Sequence, residues 1–187
     1  LVKYESKDIN SIAISAYNKD VCYIPQSQSM PWLKVTVENY IEKKVNTYNN
    51  LSDPKKRISN VISKMKLKKY LTLDYRKLSD GEKRWIELAV AIASDTKVLL
   101  IDGFGQYLGE DKINILSKIL YRKINYDGAT VIISTHVKER LARIASVFIR
   151  LDEGKIVSVR SKGKSKSRHK GRPQKSSPKK SPSKKTQ

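Results

Sequence analysis

The stretch Lys77-Leu78-Ser79-Asp80-Gly81-Glu82-Lys83-Arg84 sets a hydroxyl, a glycine and several charges at a spacing that opens a helix. Free backbone N–H groups at such an opening, with the positive end of the helix dipole, can hold a phosphate. A plainer reading fits the same residues. Ser79-x-x-Glu82 is a capping box, which many helices use without any ligand. The two readings are compatible, since a cap orients the same N–H groups. Sixteen residues past Glu82, Val98-Leu99-Leu100-Ile101-Asp102 ends four apolar residues in a carboxylate. That order puts Asp102 at the C-terminal lip of a buried strand, where α/β proteins bind ligands. A carboxylate there can hold Mg²⁺, usually through water. Asp102-Gly103 is also an ordinary turn dipeptide. His136 ends the run Thr130-Val131-Ile132-Ile133-Ser134-Thr135, and Gln26 comes after Val21-Cys22-Tyr23-Ile24-Pro25. Alone, neither carries meaning.

Elements that would position these groups are read from periodicity. Residues 12–16 and 21–24 read as short strands around the turn-like Tyr17-Asn18-Lys19-Asp20. Val35, Val37, Tyr40, Ile41 and Val45 recur at helical spacing. A second helix opens at Ser52 or Asp53 with Pro54 at its first position, and carries Ile58, Val61, Ile62 and Met65 on one face. A long helix runs from Ser79 to about Ala93. Residues 98–101 then form a continuous apolar run, the mark of a strand covered on both faces. Next come a helix over 111–124, a strand over 130–134, a helix over 137–145 and a strand over 147–151. Asp152-Glu153-Gly154 turns that last strand into a hairpin with 155–159. This alternation is the order of a parallel α/β sheet, with the helices between 36 and 77 as an insert.

In this order and spacing the motifs resemble those of ATP-binding-cassette ATPases. Tyr23-Ile24-Pro25-Gln26 is similar to their Q-loop, Trp32-Leu33-Lys34-Val35-Thr36-Val37-Glu38-Asn39 to the start of their helical subdomain, and Leu78-Ser79-Asp80-Gly81-Glu82 to their signature. Val98-Leu99-Leu100-Ile101-Asp102 resembles the Walker B strand, His136 the switch histidine, and Leu151-Asp152-Glu153-Gly154-Lys155-Ile156-Val157 the hairpin after it. The resemblance covers residues 1–159. It implies an α/β fold: part of a P-loop NTPase-type parallel sheet with flanking helices, a helical subdomain over about 30–80 and a C-terminal β-hairpin. It also implies an ATP sandwich between two head-to-tail domains. There Ser79, Asp80, Gly81 and Glu82 would cover ATP held by a second nucleotide-binding subunit, with Ser79 and Gly81 on its γ-phosphate. Asp102 would hold Mg²⁺ through water, Gln26 would contact the metal or the attacking water, and His136 would contact the γ-phosphate. The cofactors implied are ATP and Mg²⁺. The partners implied are that second subunit, in a homo- or heterodimer, and a transmembrane permease docked on the helical insert, at the cytoplasmic face of the membrane. Only 52 residues separate Gln26 from Ser79. That suits a transporter-type insert and is far too short for the coiled coils of chromosome-maintenance relatives.

Several positions depart from the pattern. No glycine precedes Gly81, so nothing upstream can form the phosphate-cradling P-loop. With a start at Leu1 rather than Met, the chain reads as cut open at its front. Gly163-Lys164-Ser165 lies in the tail without the rest of that motif. Gly103 stands where the family has its catalytic Glu, which implies slow or no hydrolysis at that site. Restoring Glu there is expected to raise ATP turnover. Gly109 replaces the Asp that ends the family's D-loop, and Asp80 stands where a Gly is commoner.

Bulk properties limit the remainder. Of 187 residues 39% are hydrophobic, enough for one core, and Cys22 is the single cysteine, which excludes an internal disulfide. No apolar run approaches the ~20 residues that cross a bilayer. The net charge is +21, and residues 160–187 hold twelve Lys/Arg with no Asp/Glu. This segment of Lys, Arg, Ser, Pro and Gly is expected to be a disordered tail, since it cannot bury enough apolar area to offset its ordering entropy. Ser177-Pro178-Lys179-Lys180 and Lys170-Gly171-Arg172-Pro173 resemble minor-groove DNA-binding elements. They support a rival reading, an ATPase of this family acting on nucleic acid or ribosomes. A solvated tail touching anionic lipid is the plainer alternative.

Overall fold

The computed structural model describes residues 2–27, 30–48, 51–136 and 138–162. The chain divides into two units, Leu1–Ala145 and Ser146–Gln187. The first opens with two short paired strands, β1 (Lys3–Tyr4) and β2 (Lys7–Asp8), followed by helix α1 (Ile14–Asp20). A strand is expected over 12–16, and the structure corrects this. Ala13, Ser15 and Ala16 have short side chains that suit a helix start, and Ala16 N–H already bonds the Ala13 carbonyl at 2.9 Å. The expected turn at 17–20 is therefore the end of α1.

Three strands, β3 (Val21–Ile24), β4 (Val98–Ile101) and β5 (Thr130–Ile133), form a parallel sheet with β4 in the middle. Its register aligns Ile24, Ile101 and Ile133 in one row. Cys22, Ile24, Leu99 and Ile101 are buried on one face. On the other, Tyr23 and Ile132 are 58% and 59% exposed. The Cys22 thiol accepts the Tyr48 hydroxyl at 3.1 Å, and burial pushes its pKa up, which makes it an inert thiol.

The insert consists of α2 (Val37–Val45) and α3 (Pro54–Lys64), packed on α4 (Asp80–Ala93) and on each other. Thr36 caps α2, and Asp53 caps α3 by accepting the Lys56 N–H at 3.0 Å, with Pro54 at the first position as expected. Helix α4 carries the core: Trp85, Ile86, Leu88 and Ala89 are almost wholly buried, and the Trp85 indole donates to the Met65 carbonyl at 3.1 Å. Tyr40 and Tyr75 stack at 3.9 Å, and both hydroxyls donate to the Glu87 carboxylate, which ties insert to α4. At the far end of α4, Asp95 (φ +51°) takes Arg57 from α3 and the buried Lys123 of α5 (Glu110–Asn125).

The helix expected over 137–145 shrinks to a 3₁₀ segment, Lys138–Leu141. Leu141 is buried, whereas Ala142 is exposed, so little apolar face is packed to offset helix nucleation. The second unit is a hairpin, β6 (Val147–Asp152) with β7 (Lys155–Ser161), whose ladder extends two residues past the expected end at 159. Val147, Ile149, Leu151 and Val159 leave apolar surface on it half or more exposed. Residues 163–187, nearly all of the basic segment, lie outside the described residues.

Candidate functional site

The parallel ladder continues just past the strands and so aligns the residues at their C-terminal ends. Asp102 N–H bonds the Ile24 carbonyl at 3.0 Å, and Ser134 N–H bonds the Ile101 carbonyl at 3.0 Å. Gln26, Asp102 and His136 therefore leave the same C-terminal edge of the sheet, the edge at which open α/β sheets bind ligands. Asp102 is half-buried, while Gln26 and His136 are exposed.

Ser134 organises the centre of that edge. Its hydroxyl donates to Asp102 Oδ1 and accepts the Gly103 N–H at 2.8 Å. Gly103 lies at φ +68°, a region where only glycine is unstrained. A Cβ there would sit 2.8 Å from Gln106 Oε1 and 3.4 Å from Gln26 Cγ. The Gln26 and Gln106 side chains thus both lie beside Gly103.

Arg84 joins helix α4 to this edge. It is 2% exposed, and its guanidinium donates to the carbonyls of Pro25, Asp102 and, at 3.5 Å, Gly103. One planar fork thus fixes both strand ends, the use to which arginine is suited. Burial pulls its pKa down, opposed by the nearby Asp102 carboxylate. It stays a cation at neutral pH and stabilises an anion at residue 102.

At the start of α4 the capping box is fully formed. Ser79 Oγ accepts the Glu82 N–H at 3.3 Å, while Glu82 Oε2 accepts the Ser79 N–H at 2.9 Å and the Ser79 hydroxyl at 2.8 Å. These bonds hold the Glu82 carboxyl below the usual glutamate range. The Ser79 hydroxyl proton is therefore committed to Glu82, and Ser79 must release it before donating to anything else. The Asp80 side chain is 78% exposed and pairs with Lys83 at 3.8 Å, so it points to solvent. Gly81 has a steric reason to be glycine: a Cβ would lie 2.5 Å from the Tyr107 carbonyl oxygen. Tyr107 itself is at φ +59° and 62% exposed. Between these parts opens a cleft of ≈ 290 Å³ lined by Gln26, Met30, Asp80, Lys83, Arg84 and Tyr107, among others.

The structure thus joins Gln26 to the Asp102–Gly103 corner and puts Gln26 and Asp80 on one cleft. His136 lies on the same sheet edge as Asp102, whereas Ser79 and Glu82 engage each other at the helix opening. Arg84, Ser134, Gln106 and Tyr107 are added by geometry alone. Ser134 and Arg84 lie inside the motifs quoted, but nothing in their spacing tells which backbone groups they hold. For Mg²⁺ the donors are sparse: no group of three or more His, Cys, Asp or Glu suited to a metal exists among the described residues. One carboxylate and an amide fit an ion that keeps several waters and takes its other ligands from a phosphate.

Among known families, the sequence model of the ABC transporter family matches residues 1–103. An ABC transporter ATP-binding protein of Saccharolobus solfataricus is 27% identical over 158 residues, which cover 80% of this chain and 28% of that protein. The cell division ATP-binding protein FtsE of Streptococcus pneumoniae is 27% identical over 163 residues, covering 87% of this chain and 68% of FtsE. Among solved structures, a dimeric ATP-binding cassette in a post-hydrolysis state with ADP and Pi superimposes with TM-score 0.71 at 18% identity. The match covers 84% of this chain and 71% of that one, and shows the fold. The chain spans about 28% of the length of the first curated relatives it matches.

Proposed function

This chain belongs to the ABC transporter family, and we propose that it is part of an ATP-binding subunit closing on the terminal phosphate of ATP to drive a membrane permease. The observation that carries this reading is the shared sheet edge: Gln26, Asp102 and His136 leave it together, and Arg84 ties α4 to it. Asp102 would hold Mg²⁺, which supplies charge neutralisation on the phosphates. Gln26 would approach the metal or the attacking water, and His136 the γ-phosphate. The tip of α4, with Ser79 and Gly81, would cover ATP held by a second nucleotide-binding subunit. Asp80, turned outward onto Lys83, then adds little repulsion.

Two further parts of the reading have support of their own. The bare sheet face at Tyr23 and Ile132 supports a phosphate-gripping segment contributed by other polypeptide, because parallel sheets are normally covered on both faces. Trp32 (96% exposed) and Leu33 at the head of the insert support docking of a membrane partner there. Among the described residues no helix is long and apolar enough to cross a membrane, so the span would belong to that partner. Residues 1–159 would be the nucleotide-binding part, on the cytoplasmic face, and 160–187 a basic extension.

Size-exclusion chromatography of the full-length protein tests this. ATP, with Mg²⁺ chelated to prevent turnover, should drive association of two nucleotide-binding subunits. Ser79→Arg should abolish the shift. Equal elution with and without ATP refutes the proposal.

A further inference from the structure

The empty catalytic position at Gly103 is not empty space. The chain turns back on itself there, with Gln106 N–H on the Gly103 carbonyl at 3.2 Å. This turn lays the Gln106 amide over residue 103. Its Oε1 stands 2.8 Å from the point where a side chain at 103 would begin. From the other side Gln26 reaches the same point, with Cγ at 3.4 Å and Cδ at 3.8 Å. Two uncharged side chains thus flank the residue where the family resemblance calls for a glutamate, and Ser134 binds the Gly103 N–H and Asp102.

We propose that Gln106, paired with Gln26, orients the attacking water in place of the missing glutamate. The inference rests on the reading of this edge as the γ-phosphate site. An amide has one oxygen acceptor and two N–H donors, so it can fix a water's direction. It cannot take the water's proton. Little is lost thereby, because phosphoryl transfer depends mainly on positioning and charge stabilisation, and a glutamine performs this duty in other NTPases. The water oxygen forms the new bond to the γ-phosphorus, and the bond from that phosphorus to the β–γ bridging oxygen breaks. ADP leaves with the electron pair. The water's proton goes to a γ-phosphate oxygen, so the products are ADP and inorganic phosphate with no charge left on the protein. The turn also accounts for Gly103, since its left-handed backbone would strain any other residue.

The test uses the full-length protein in the assembly in which it is purified from its own cells. Gln106→Ala and the similarly sized Gln106→Met are compared with Gln106→Glu. Steady-state kinetics should show kcat lowered about tenfold or more in the Ala and Met variants, with KM for ATP within about twofold, the pattern of an interaction made only in the transition state. Binding of ADP–aluminium fluoride, a mimic of that state, should weaken about tenfold while ATP affinity holds. Gln106→Glu should restore both. If ATP binds but kcat and analogue affinity are unchanged in Gln106→Ala and Gln106→Met, the role of Gln106 is overturned and the site stands. If Met is near wild type and Ala is not, residue 106 only fills space and the proposal fails. An assembly that binds no ATP overturns the site itself.

Discussion

Gly81 carries opposing local and tertiary demands, and substituting it measures which is larger. At the first turn of α4 alanine is the better helix former by up to about 1 kcal/mol. Its φ is not in the left-handed region, so no backbone strain opposes the change. Opposition comes from one atom. The new Cβ would stand 2.5 Å from the Tyr107 carbonyl oxygen, a backbone atom that cannot rotate aside. Contacts below 3.0 Å are essentially never seen for real Cβ atoms, so the 104–108 segment must retreat by roughly half an ångström or more. Overpacking of this kind costs about 1–3 kcal/mol. With the full helix gain subtracted, Gly81→Ala should be about 0–2 kcal/mol less stable, and never more stable. Urea unfolding of the full chain, followed by tryptophan fluorescence, is the assay, since Trp85 is buried on the same helix. Gly109→Ala is the comparison: with nothing within 4 Å of its Cβ it tests only the loss of a glycine N-cap, about 0.5–1 kcal/mol. If Gly81→Ala is more stable than the parent by about the helix gain, the 104–108 segment does not press on α4, and the reasoning fails.

Asp95→Asn keeps a residue that tolerates positive φ but removes the charge facing the buried Lys123 ammonium, 2.7 Å away. A loss of about 2–3 kcal/mol in urea unfolding is expected, largely recovered by adding Lys123→Met; no recovery means that the pair is not the cause. Glu82 titrates below the usual glutamate range because it accepts the Ser79 bonds. Its contribution is therefore present above about pH 5 and is lost as pH falls through the depressed folded pKa. Glu82→Gln should be less stable than the parent at pH 7, with the gap narrowing as acid is added; a gap independent of pH refutes the assignment.

What the sequence disclosed depended on whether a signal was local. The capping box of Ser79 and Glu82, Pro54 at the start of α3 and the apolar run of β4 each declare themselves within a few residues, and each formed as expected. Residues 12–16 read as a short apolar strand beside a turn-like segment, yet from Ile14 onward they fall in α1. The 137–145 stretch spaces Val137, Leu141, Ile144 and Ala145 as a helix would, but among its described side chains only Leu141 is fully buried, which only the tertiary structure reveals. At the site, the motif spacing foretold which strand ends carry Gln26, Asp102 and His136. The long-range bonds of Arg84 to three carbonyls could not be foretold, because a buried arginine and an exposed one are spelled alike.

The lesion at Gly103 changes meaning once its backbone is known. From sequence, restoring Glu is a one-residue repair that should raise turnover. In the structure the same change places a side chain on strained left-handed backbone and makes the Gln106 side chain swing aside. It also strains the turn whose N–H is held by Ser134, and Ser134 in turn holds Asp102. A substitution meant to supply a catalytic group would therefore act on Asp102, the carboxylate proposed for Mg²⁺, through two hydrogen bonds. Gly103, Gln106 and Ser134 form one device: the glycine permits the turn, the turn delivers the amide, and the hydroxyl fixes both to Asp102. An activity gained by Glu at 103 alone would show the three to be independent. On the proposed reading a glutamate would instead have to come from position 106, whose side chain already lies beside Gly103.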